Sequence, residues 1–147
     1  MKRSYIKRKP KKPRKHPSAQ RKVQDELWEL CKQIIRLMYG NTCFTCGKTG
    51  LTGSGWHTAH LIPRSTCGAF LKYDLRNLRP CCYHCNINLG GNGAIFYRRM
   101  VETEGQKYVD DIFKDKEKIV VASEHYQKLL IEYDKRAIST GHTENLL

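Results

Sequence analysis

From Val23 to Tyr39, apolar side chains recur at helical spacing: Val23, Leu27, Leu30, Cys31, Ile34, Leu37 and Met38. Repeats of three and four residues place them along one stripe, which predicts an amphipathic helix. Gly40 supplies its stop, and Cys31, on the apolar side, reads as a core thiol. Beyond it the pattern breaks into short pieces. Asn41 to Gly55 is rich in turn residues, Trp56 to Pro63 reads as a short strand, and Ser65 to Leu75 reads as a loop anchored by Phe70, Leu71 and Tyr73. Asn77 to Pro80 predicts a second short strand, and Cys82 to Leu89 the start of a helix. After the break Gly90-Gly91-Asn92-Gly93, helical spacing returns over Ala94 to Thr103 and Gln106 to Phe113. A last helix is predicted from an N-cap at Ser123 to about Ala137, with Tyr126, Leu129, Leu130 and Tyr133 on one side. No internal repeat is present.

These elements set an α+β expectation: one domain over residues 23–138, a basic arm over 1–22 and a frayed tail over 139–147. The arm carries nine Lys or Arg residues between Lys2 and Lys15, no acid, and prolines at 10, 13 and 17. Such a block stays unstructured until it meets a polyanion, and Lys7, Arg8 and Lys9 at its centre are candidate phosphate contacts. Across all 147 residues, 27 Lys and Arg outweigh 14 Asp and Glu, a net charge of +13, which makes DNA or RNA the expected partner. A membrane is not expected: no apolar run approaches the ~18 to 20 residues of a spanning helix. The basic N-terminus also lacks the apolar core of a secretory signal. Seven cysteines is an odd number for an extracellular disulfide framework, so reduced thiols in a cytoplasmic compartment are expected.

Four of those cysteines form two C-x-x-C pairs, Cys43 with Cys46 and Cys82 with Cys85. Each turn offers two thiolates with little backbone strain, and two such turns supply the tetrahedral set that structural zinc takes. Cys81 leaves the register of the second pair open, although Cys82 repeats the spacing of the first. Four thiolates leave no coordination position for water or substrate, so the zinc is expected to serve folding. Cys31 then reads as a packed thiol, Cys67 and Cys81 as spare thiols in the core or at the surface, and His84, inside the second turn, as exposed or in contact with the ligands rather than as one of them.

Between the cysteine pairs lie His60, in Ala59-His60-Leu61-Ile62-Pro63-Arg64, and Asn77, in Arg76-Asn77-Leu78-Arg79-Pro80. Phosphodiester cleavage needs an activated water, a cation to hold charge on the phosphate, and fixed in-line geometry. A histidine titrating near 6.5 suits the base role, and His60 at a strand end fits it. Arg64, Arg76 and Arg79 flank this segment as possible bidentate phosphate donors. Arg98 and Arg99 follow the glycine-rich break, where a helix start could meet a phosphate.

The series His60-x-x-Pro63, Asn77-Leu78, Cys82-x-x-Cys85-Asn86 resembles the HNH, or ββα-metal, endonucleases. The last position, commonly His there, is Asn86. A narrower resemblance, from about Gly40 to Lys135, is to the phage NinG (Rap) recombination proteins. It rests on His57-Thr58-Ala59-His60-Leu61-Ile62-Pro63-Arg64, Cys67-Gly68, Tyr73-Asp74-Leu75-Arg76-Asn77 and Cys85-Asn86-Ile87-Asn88-Leu89-Gly90-Gly91-Asn92. These resemblances imply a ββα-metal core with structural zinc, and a Mg²⁺- or Mn²⁺-dependent endonuclease acting on branched DNA such as junctions. They imply His60 as general base, Asn77 as the brace of the loop between the strands, and Asn86 as a ligand of the catalytic cation. Many members carry Asp or His where Ala59 stands. His57 is the nearest replacement ligand, and Asp74 a second. A homodimer, recombination proteins of phage or host as partners, and the cytoplasm of a bacterial host would follow. Set against this are a zinc ribbon that binds nucleic acid without chemistry and an adaptor within a replication or recombination complex.

Overall fold

The computed structural model describes residues 18–139. The first long element is α1 (Ala19–Tyr39), and it starts inside the stretch expected to be an arm. Ser18 is the reason: its side chain accepts from the Arg21 backbone N–H at 3.2 Å and satisfies one of the orphan donors of the first turn. The helix buries Leu27, Leu30, Cys31 and Ile34 of the expected stripe and Ile35 beside them, whereas Leu37 and Met38 in its last turn stay exposed. Each fully buried side chain of this size contributes about 1.5–3 kcal/mol. Gly40, at φ 69°, ends it and returns its N–H to the Arg36 carbonyl at 2.8 Å.

The strands are β1 (Trp56–His60) and β2 (Leu78–Cys82). They pair antiparallel, with Trp56 opposite Cys82, Thr58 opposite Pro80 and His60 opposite Leu78. β1 stops three residues short of Pro63, and β2 runs two past Pro80 into the cysteines. Trp56 fastens the hairpin to α1: its indole N–H donates to the Gly40 carbonyl at 3.2 Å, and Arg36 lies 4.5 Å above its ring. The segment between the strands holds the short α2 (Gly68–Leu71), where a plain loop was expected. A π-helical turn (His84–Asn88) follows β2 directly.

Three helices complete the chain: α3 (Gly93–Glu104), α4 (Gln106–Asp115) and α5 (Ala122–Ser139). α5 begins one residue before Ser123 and packs along α1, while α3 packs on α4. One core joins them, with Phe96, Met100, Val109, Ile112, Tyr126 and Tyr133 meeting the α1 stripe. The Tyr73 carbonyl is a junction within it. It accepts from the Tyr133 hydroxyl at 3.0 Å and from the Cys31 thiol at 3.4 Å, linking both long helices to the inter-strand segment. Burial raises the Cys31 thiol to about 12, as suits a core cysteine. The molecule is therefore an α+β domain built on a two-stranded hairpin. Among the described residues no helix is long and apolar enough to cross a membrane.

Candidate metal centre and the residues around it

The two C-x-x-C turns converge. The sulfur atoms of Cys43, Cys46, Cys82 and Cys85 all lie within 4.8 Å of one another. Each turn aims a backbone N–H at its first sulfur: Cys46 N–H at Cys43 Sγ (3.5 Å) and Cys85 N–H at Cys82 Sγ (3.4 Å). Burial opposes a thiolate at Cys43, but donors led by the N–H of Cys46 outweigh it, and the thiol falls to about 6. Four converging sulfurs with such donors fit a closed tetrahedral site for zinc. Cys81 is not one of the four. Its thiol meets the Thr45 hydroxyl at 3.2 Å and Cys43 Sγ at 3.8 Å, and burial raises it to about 12. The register left open by the sequence thus closes on Cys82. None of the seven cysteines is in a disulfide.

Asn77 is fully buried at the mouth of the hairpin. Its Oδ1 accepts from the Ile62 N–H at 2.8 Å, and its Nδ2 donates to the carbonyls of Ile62 and Leu71, both at 3.2 Å. Its own carbonyl accepts from the Leu61 N–H at 2.9 Å. One residue therefore ties the chain leaving β1 to the end of α2.

His60 sits where that chain leaves β1. Its Nε2 lies 3.0 Å from the Lys72 carbonyl, and its ring stacks on Trp28 of α1 with centroids 5.5 Å apart. A carbonyl only accepts, so Nε2 carries the proton and Nδ1 is the basic nitrogen. Burial first, then the positive charges of Arg64 and Lys72, hold its pKa below the ordinary histidine value, against the pull of the Lys72 carbonyl. Arg64 also lies 5.4 Å above the Trp28 ring. Trp28, at the edge of the buried stripe beside Ile35, also packs against the core and meets the Tyr73 ring edge-on at 6.3 Å.

His57 and Asn86 meet on the other side of the strand. Residues three apart along a strand project from opposite faces, and the neighbours of His57 are indeed different ones. Its Nε2 lies 3.0 Å from the Ser54 carbonyl, its Nδ1 lies 3.2 Å from Asn86 Nδ2, and its ring meets Tyr83 edge-on. The Ser54 carbonyl fixes the proton on Nε2, which aims the Nδ1 lone pair at Asn86. This is the orientation that an outer hydrogen bond imposes on a metal-binding imidazole. Asn86 and His57 are thus brought together, whereas His60 and Asn86 are not. Ala59, between the histidines, is buried and offers no ligand. Among the described residues the cysteine set is the one group of three or more Cys, His, Asp or Glu arranged to hold a metal.

The arginines divide. Arg79 is wholly buried, and the phosphate role its position suggested is taken up by internal partners. Nη2 meets Glu104 at 2.6 Å, Nη1 donates to the Leu78 carbonyl at 2.7 Å, and the group lies 4.5 Å above Tyr39. Arg76 bridges Asp74 (2.6 Å) and Asp115 (2.8 Å). Its pKa is raised, chiefly by Asp74, while Lys118 and then Arg76 lower that of Asp115. Asp74 is thereby committed to Arg76, and it also caps the turn before β2. Arg64 and Arg98 remain at the surface, Arg98 in a loose pair with Glu102 at 3.6 Å. Lys7, Arg8 and Lys9 lie outside the described residues.

A hairpin, a cluster of four cysteines placed to hold a metal and a helical turn that sets Asn86 beside His57 define a small α+β domain. The family described as bacteriophage lambda NinG protein matches residues 1–140, nearly the whole chain. The protein belongs to the NinG family. A curated relative, protein ninG of Salmonella phage P22, is 30% identical over 95 residues, which cover 64% of this chain and 45% of that protein. The chain thus spans about half the length of the curated relative it matches. No solved structure gives a significant match.

Proposed function

We propose that this protein is a divalent-metal-dependent DNA endonuclease of the HNH type, acting on branched recombination intermediates. The observation that carries the reading is the His57–Asn86 pair, with Nδ1 of a carbonyl-anchored imidazole facing an amide 3.2 Å away. Turned by half a rotation, that amide presents oxygen, the ligand a hard cation such as Mg²⁺ or Mn²⁺ prefers. Two protein ligands leave the remaining positions to water and phosphate oxygens, and such an ion would offset charge on the scissile phosphate. His60 is the general base: Lys72 holds its Nε2–H, leaving Nδ1 to take a proton from water. Because His60 and His57, the partner of Asn86, leave β1 on opposite faces, the reading requires the scissile phosphate at the strand end, near Ile62 and Pro63. The cysteine-bound zinc serves the fold, while Arg64, Arg98 and the basic N-terminal residues supply phosphate affinity independent of sequence. Cutting both strands of a four-way junction takes two sites, hence two copies, with recombination proteins of phage or host as natural company.

The stacked, half-buried setting of His60 favours a second reading, a zinc-stapled module that binds DNA without cutting it. Cleavage of linear, forked and four-way DNAs with Mg²⁺ or Mn²⁺ separates the two. His60→Ala and His57→Ala should each abolish cleavage while leaving DNA binding within about twofold. Cleavage that survives both substitutions removes the catalytic reading.

A further inference from the structure

An open cleft of about 380 Å³ lies beside the metal centre, on the His57 side of the hairpin, lined by Lys48, Gly50, Thr52, Gly55, Tyr83 and His84 among others. It falls in the size range of small-molecule sites. One wall is aromatic. Tyr83 follows the ligand Cys82, stands edge-on to His57 with centroids 5.5 Å apart, and keeps 51% of its surface exposed. Another wall is nearly bare backbone: a Cβ built on Gly50 or Gly55 would meet no atom within 4 Å. The polar groups differ in kind. Lys48 brings a cation and Thr52 a hydroxyl. His84 accepts from Asn88 Nδ2 at its Nδ1 (3.2 Å), which leaves its Nε2–H to donate.

We propose that this cleft binds one unstacked nucleotide of a single-stranded DNA segment, its base against Tyr83 and its phosphate on Lys48. The proposal rests on the nucleic-acid reading above and names the part of the substrate that is read. A flat ring needs an aromatic face and an open wall, and both are present. A base edge needs mixed donors and acceptors, which Thr52 and His84 supply. A chain of net charge +13 draws the polyanion in. The cleft also adjoins the His57–Asn86 pair through Tyr83, so a nucleotide lodged in it would register the neighbouring strand against that pair. A fully paired duplex must first break a stack to fill the cleft, whereas a branch point offers unpaired bases already. Selection for branched DNA follows without any base sequence being read.

The test is equilibrium binding by the full-length, zinc-loaded protein, without added Mg²⁺ or Mn²⁺. The probes are a forked DNA carrying 2-aminopurine at the first unpaired position and a duplex of the same sequence. Fluorescence should change on binding of the fork and not of the duplex. Tyr83→Ala should weaken fork binding about 5- to 100-fold, the range that loss of one base–aromatic stack gives, and duplex binding less than twofold. Tyr83→Phe should bind the fork like the parent protein. Gly55→Leu, which fills the cleft from the opposite wall, should lower fork binding as Tyr83→Ala does. If Tyr83→Ala loses zinc, Gly55→Leu decides alone. Equal losses on fork and duplex, or an unaltered fork preference with Gly55→Leu, overturn the pocket. Cleavage is not read here, so the pocket can fail while the nuclease stands, whereas a protein that binds neither DNA overturns the nucleic-acid reading itself.

Discussion

The side chain of Asn77 satisfies both polar groups of Ile62: Oδ1 takes its N–H at 2.8 Å and Nδ2 reaches its carbonyl at 3.2 Å. The residues are fifteen apart in sequence, and this contact stands in for a hydrogen-bonded turn where the chain leaves β1. Asn77→Ala would leave the Ile62 N–H and carbonyl without partners in a buried place, while the Leu71 carbonyl keeps the Asp74 N–H at 3.3 Å. At roughly 1–3 kcal/mol per unmet group, with partial relaxation, about 3 kcal/mol of stability should go. Urea unfolding of the zinc-loaded protein measures it. Asn77→Asp, which sets a carboxylate oxygen against the two carbonyls in a buried place, should cost at least as much as the alanine, and a loss below about 1 kcal/mol for the alanine variant would mean that the clasp is idle.

Metal stoichiometry separates Cys82 from its neighbour. Cys82→Ser should lose tight zinc, since that sulfur is one of the four, and Cys81→Ser should keep one equivalent. Structural zinc carries roughly 10–16 kcal/mol of apparent binding energy, which is folding energy in small domains. A strong chelator should therefore abolish the cooperative unfolding transition. Metal analysis after dialysis gives the first result and circular dichroism the second.

His60 gives an acid-side signature. Burial, Arg64 and Lys72 lower its folded pKa, so the folded state favours the neutral ring. The stability tied to that neutral ring is present above the unfolded value of about 6.5 and lost as pH falls from there through the lowered folded value. Denaturation midpoints at pH 7.5 and pH 5 should differ less for His60→Gln than for the parent. Any zinc release in acid is common to both proteins and cancels in that comparison. An identical drop in the two would assign the acid sensitivity elsewhere.

Arg79 and Arg64 should behave as different kinds of arginine. Arg79→Ala empties a wholly buried site and removes its contacts to the Leu78 carbonyl, Tyr39 and Glu104, at about 2–5 kcal/mol, while the partly exposed Glu104 carboxylate is met by water. Arg64→Ala, at the surface, should cost under 1 kcal/mol and act on DNA affinity instead. Thermal unfolding beside a DNA titration checks both, and a destabilisation of Arg64→Ala equal to that of Arg79→Ala would erase the distinction.

Much of this was legible from local pattern. The α1 stripe, the glycine stop and the paired cysteine turns depend on neighbours in sequence, and each formed where its spacing put it. What escaped notice depends on distant partners. Arg79 reads as a surface cation until Glu104, twenty-five residues on, is folded against it. The start of α1 was hidden because Arg21 and Lys22 continue the basic run of the N-terminal residues, and the Ser18 cap was the local sign that a helix had begun. The choice between Cys81 and Cys82 turns on which way one strand residue faces. For the candidate site, the sequence pointed to His60, Asn77 and Asn86, but only the fold pairs Asn86 with His57 and sets His60 against Trp28.

The two cysteine turns also impose an order in time. His57, His60 and Asn77 all lie inside the ring that a metal held by the four cysteines would close between Cys46 and Cys82, and Asn86 lies just beyond it. Closing a ring of this length costs chain entropy that local contacts do not repay. A chain still on the ribosome has no complete ligand set until Cys85 has emerged, and the groups of the candidate site remain scattered until then. In a chain built this way, the geometry of the candidate site would wait on the last cysteine and on a cation to join the four.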